Sequence, residues 1–106
     1  MAYSVIATRL AQADAREKIR WLTANRSHAV AERWFMRYES ARDSLIENSD
    51  RCPPVEEAGE LGQNVRQLLF RFGKSYHRLV FTVEGETVVI HRVRHAAQDR
   101  LTDGDL

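Results

Sequence analysis

The sequence predicts an α+β domain in which an N-terminal strand and a helical hairpin precede a three-stranded antiparallel meander, the helices covering one face of a small, mostly antiparallel sheet. Three observations predict it. Apolar residues recur at helical spacing across residues 9–45, and three strand-like runs separated by glycine-containing breaks occupy residues 65–95. A chain of 106 residues then has room for one core and no second. The domain accordingly spans residues 1–106.

Each element has its own signal. Ala2 to Thr8 (AYSVIAT) reads as a short strand with Tyr3, Val5 and Ala7 on one face. From Arg9 to Asn25, Ala11, Ala15, Ile19 and Leu22 form one stripe at the 3.6-residue period. Ser27 is a good N-cap for a second helix, whose stripe is Ala31, Trp34, Tyr38, Ala41 and Leu45. At that spacing its aromatic residues are core rather than a base-stacking box. Glu47 to Asn64 holds both prolines, Gly59 and Gly62, and reads as a surface connection. Val65–Phe72, Tyr76–Val83 and Thr87–His95 are the meander strands, broken at Gly73-Lys74-Ser75 and Glu84-Gly85-Glu86.

Composition excludes several classes. With 43% hydrophobic residues the chain is not a disordered one, and it contains no run of about 18 apolar residues to span a membrane. The N-terminus lacks the basic-then-apolar pattern of a secretory leader, so a cytoplasmic protein is expected. The single cysteine, in Arg51-Cys52-Pro53-Pro54, is expected to be a solvent-facing loop thiol without chemistry. None of the four histidines has metal-ligand spacing, and the nucleophile-elbow, P-loop and dinucleotide fingerprints are missing, so neither metal nor cofactor is expected.

Charge is segregated although the net value is only +1. Glu39 to Glu60 holds seven acids against two bases, and Val65 to Arg100 seven bases against three acids. Fourteen of the sixteen bases are Arg, which suits bidentate contacts to phosphate or carboxylate, although a GC-rich genome produces the same bias. On the middle strand of the meander, alternation places Leu79, Phe81 and Val83 on the core face and Tyr76, Arg78, Val80 and Thr82 on the other. A two-residue Glu84-Gly85 turn would set Arg78 opposite His91, and a three-residue loop would set it opposite Arg92. Both leave Arg78 on an uncovered face beside another basic group, with no core packing. That cluster is either a solvated edge or a surface for an anionic ligand, where His at neutral pH could also move a proton.

The segment from Tyr76-His77-Arg78-Leu79-Val80-Phe81 through Arg92-Val93-Arg94-His95, with Asp99 beyond it, resembles the C-terminal half of RelE/ParE-superfamily toxins of bacterial type II toxin–antitoxin modules. Weaker likeness extends over the chain: Ile19-Arg20-Trp21-Leu22 in the first helix, Ala31-Glu32-Arg33-Trp34-Phe35 in the second, and Leu61-Gly62 before Val65-Arg66. The resemblance implies a toxin neutralised by a cognate small antitoxin protein, with room for a higher-order toxin–antitoxin assembly, and with one of two targets unless it is a degenerate toxin that only binds its antitoxin. RelE-like members cleave mRNA on the ribosome without a metal; ParE-like members poison DNA gyrase. Under the first activity Arg78 and Arg66 would hold the scissile phosphate and His95 would act as acid or base. Ala96 and Ala97 stand where a closing Tyr or His is common in nuclease branches, and Leu68 where a second Lys occurs. The Arg94-His95 ending with Asp99 is closer to the ParE-like and uncharacterised branches, and the ParE-like reading is favoured. For either target, or for the antitoxin, the expected contact residues are Arg66, Arg78, Arg92, Arg94 and His95.

Overall fold

The computed structural model describes residues 2–61, 64–97 and 100–106. Gly62 and Asp99, on which part of the sequence reading drew, lie outside them.

β1 (Ser4–Ala7) is shorter than predicted because its flanks have other work. The Tyr3 N–H bonds to Ile46 O at 2.9 Å, and Thr8 becomes the N-cap of α1 (Arg9–Asn25), its Oγ1 accepting from Ala11 N at 3.2 Å. Ala11, Ala15 and Leu22 are buried as the stripe required, with Ile19 half-buried. The Ser27 cap accepts from Val30 N at 3.1 Å and starts α2 (His28–Asn48), which buries the five stripe residues named above. Their many alanines let the helices approach each other and the sheet closely.

The sheet order is β1-β4-β3-β2, with β2 (Arg66–Phe72), β3 (Ser75–Glu84) and β4 (Thr87–His95) antiparallel and β1 parallel to β4. Gly73 and Gly85 make the two turns at φ of 61° and 63°, a left-handed conformation that side chains disfavour. The turn residues of the second hairpin are Gly85-Glu86, so Phe81 faces Ile90; neither predicted register holds. A bulge at Val80/Phe81 then shifts the pairing, and Leu79 faces Val93 and Arg78 faces Arg94. β1 covers only the first half of β4. Beyond it α1 takes over the open edge, with Thr8 Oγ1 donating to His91 O at 3.0 Å and the Asp14 carboxylate accepting from Val93 N at 3.0 Å.

The helices pack on one face, where Phe70, Leu79, Phe81, Val88, Ile90 and Val93 meet α1 and α2. Trp34 is fully buried there, stacked on Tyr38 at 5.5 Å between ring centroids and tilted against Phe70 at 6.1 Å. The opposite face is not open, contrary to expectation. The Glu47–Asn64 connection folds back over it as a strap: Gln67 N donates to Pro53 O and Val55 N to Val65 O, both at 3.0 Å. Past this ladder lies α3 (Ala58–Leu61). Val55, Leu61, Val65, Val80 and Leu101 form a second apolar cluster beneath it. Cys52 is likewise buried, not solvent-facing, because the extended Pro53-Pro54 step turns it inward against the end of α2, its thiol 3.7 Å from Asn48 O.

Candidate functional site

The meander does gather arginines on the strap face, and it neutralises most of them. Arg78 is buried, with Nη2 3.1 Å from Glu57 Oε2, and Nη1 3.4 Å from Glu57 Oε1 and 3.2 Å from Gln67 Oε1. Glu57 is also buried and accepts from Leu101 N at 2.8 Å. Burial alone would raise its pKa, but the Arg78 and Leu101 hydrogen bonds prevail and hold it at about 2. The expectation of an exposed Arg78 without packing therefore fails.

Arg92 is gripped bidentately by Asp14, Nε to Oδ2 at 2.8 Å and Nη2 to Oδ1 at 2.9 Å, and also pairs with Asp105. Arg94 shares that carboxylate, Nη1 to Oδ1 at 3.0 Å. Asp105 itself is fixed by a turn in which Thr102 N donates to Oδ2 at 2.8 Å. Arg66 donates to the carbonyls of Asp50 and Cys52 at 3.0 and 3.2 Å.

His95 is elsewhere. It pairs in register with His77, whose ring lies among Trp34, Phe70 and the His95 ring, so both imidazoles belong to the helix-covered face. The His95 Nδ1 accepts from Ala97 N at 3.0 Å. Burial, followed by the nearby charges of Lys18 and His95, lowers His77 to about 4, so it is a neutral imidazole at physiological pH. Of the five residues expected to form one surface, Arg78, Arg92 and Arg94 share a face, Arg66 lies at its strap-covered edge, and His95 is on the other side of the sheet.

The residues that sequence reasoning missed are the partners: Glu57, Asp14, Asp105 and Gln67. One signal was available. The acidic block precedes the basic one, and the two meet as Glu57–Arg78 and Glu60–Arg100. Among the described residues no group of three or more His, Cys, Asp or Glu side chains could hold a metal ion, and no helix is long and apolar enough to cross a membrane.

The order of a strand, a helical hairpin and a meander is the one expected of a RelE/ParE-superfamily toxin, and the comparisons bear the class out. The family described as ParE toxin of type II toxin–antitoxin system, parDE, matches residues 5–100, and the chain belongs to that family. Among solved structures, one of the chromosomal ParDE toxin–antitoxin system from P. aeruginosa superposes with a TM-score of 0.73 at 20% identity, covering 89% of this chain and 96% of that one. The toxin–antitoxin complex RelBE2 from Mycobacterium tuberculosis is 27% identical with a TM-score of 0.52, covering 90% of this chain and 99% of that one. A comparison with curated proteins returns no match.

Proposed function

We propose that this toxin is held by a cognate small antitoxin in a higher-order assembly in the cytoplasm and that, when free, it inhibits growth by engaging DNA gyrase rather than by cutting mRNA. The observation that carries the reading is the separation of Arg78 from His95. A metal-free ribonuclease needs its phosphate-holding cation and its proton-transfer group within hydrogen-bond reach of one scissile phosphate. Here Arg78 is buried on the strap face and occupied by Glu57, while His95 lies against His77 on the helix face. Ala96 and Ala97, which follow His95, supply no replacement acid or base.

Inhibition by binding asks only for a stable surface, which the cross-linked arginines of the strap face provide. The test is to induce the chain alone and follow two readouts, with purified gyrase assayed in parallel. DNA breaks and lost supercoiling while translation continues are expected. Codon-register cuts in mRNA with an early stop in translation would overturn the proposal, as would normal growth of cells holding the folded protein.

A further inference from the structure

Several cations without a carboxylate partner line a groove beneath the C-terminal half of α1. Two cavities of about 380 and 720 Å³ open there and share Lys18, Trp21, His77 and His95. Both fall within the size range of small-ligand pockets. The larger is lined by Arg26, Arg33 and Lys74 and by no acidic residue. None of these three, nor Lys18, forms a salt bridge among the described residues, whereas Arg78, Arg92, Arg94 and Arg100 all do.

The smaller cavity has a different character. It is lined by Trp34, which is wholly buried and whose Nε1–H has no acceptor. A buried indole N–H ordinarily finds a partner, because leaving one unmade is costly. Two carboxylates line this cavity, Asp14, which is committed to Arg92 and Val93, and the exposed Glu17, so the anionic group belongs in the larger one. Between the two cavities stands Trp21, 53% exposed, with Lys18 Nζ 5.3 Å from its ring centroid.

We propose that this groove binds a nucleotide unit, with its phosphate among Lys18, Arg26, Arg33 and Lys74, its base against Trp21, and a base acceptor at the Trp34 Nε1–H. The bipartite lining selects that ligand class. A planar group with acceptors suits the aromatic, donor-bearing cavity, and a group of charge near −2 suits the carboxylate-free one. An acidic peptide side chain supplies the charge but no plane to cover Trp21. The proposal concerns binding only, and it does not depend on the gyrase reading.

Both tryptophans line the smaller cavity, so intrinsic fluorescence is a direct reporter. Titration of the full chain with 5′-AMP should give a saturable change, with adenosine and inorganic phosphate each binding at least about tenfold more weakly. Lys18→Ala combined with Lys74→Ala, neither a residue of the buried core, should weaken AMP by about tenfold or more. Trp34→Phe, which removes the N–H and keeps a ring, should weaken it severalfold. Circular dichroism establishes that each variant is folded, and the lysine pair decides the matter if Trp34→Phe is not.

A short 5′-phosphorylated single strand is titrated alongside. Tighter binding than AMP assigns the site to a strand end, and weaker binding assigns it to a free nucleotide. No change with AMP or the strand up to millimolar concentration would overturn the proposal. So would equal binding of AMP and adenosine, full AMP affinity in the lysine double variant, or saturable binding of an alternating Glu/Leu peptide that AMP does not displace.

Discussion

His77 and Arg78 are neighbours on β3, and the two faces of the sheet bury them in opposite ways. On the helix face the surroundings are apolar rings, and His77 gives up its charge, with a pKa of about 4. On the strap face Arg78 is buried together with the carboxylate of Glu57, 3.1 Å away. The contrast follows from what each residue can do: an imidazole can discharge near neutral pH, whereas a guanidinium cannot and must be paired. The first face is held by volume and the second by charge geometry, so they should respond differently to the same kind of damage.

The largest effects come from removing the centrepiece of either face. Trp34→Ala should cost about 3–5 kcal/mol through the cavity it leaves, and denaturant unfolding will show whether the helix face depends on that ring. Arg78→Ala should cost a similar 3–5 kcal/mol for another reason, since Glu57 would remain buried without its cation. Here the comparison can be sharpened. Replacing both partners, Arg78→Met with Glu57→Leu, should recover most of the loss, whereas no single polar replacement would rescue Trp34→Ala. If Arg78→Ala melts like the wild type, the strap does not seal its face.

Acid should dismantle the two faces in sequence. His77 takes its proton near 6.5 when unfolded and near 4 when folded, so the unfolded state binds more protons between those values and stability falls as pH drops from 6.5 to 4. Glu57 follows with the same sign between 4.5 and about 2. Each step is worth about 3 kcal/mol. Stability measured against pH should lose its upper step in His77→Phe and its lower step in Glu57→Gln; a single step that neither variant alters would refute the assignment.

The smallest effect is expected at the partly exposed end of the strap face. Asp105→Asn weakens the pairs with Arg92 and Arg94, but Arg92 keeps Asp14, so a loss of about 1 kcal/mol in a denaturation midpoint is expected.

What the sequence disclosed divides along the same line. The helix face was legible because periodicity encodes it: Ala11, Trp34 and Leu45 recur at helical spacing, and Leu79 and Phe81 alternate toward them. The strap face was not, because residues 53–57 are irregular, α3 is a single turn, and Val55, Leu61 and Leu101 come from separate segments with no shared period. Arg78 was assigned to the right face of its strand and the wrong environment. The strand register was missed because the turn closes at Gly85-Glu86 rather than one residue earlier, and because the extra residue of a bulge leaves no compositional mark. The unpaired cations that line the groove beneath α1 escaped notice for a related reason: only the fold distinguishes a cation with a carboxylate from one without.

The parallel pairing of Ser4–Ala7 with Thr87–Ile90 joins segments from opposite ends of the domain. Such long-range closure slows folding, since the intervening chain must be organised before the contact forms. It also imposes an order on synthesis. The helical hairpin can form while translation continues, but β1 has no strand to lie against until β4 has left the ribosome. For most of its elongation, the nascent chain is therefore not yet a toxin.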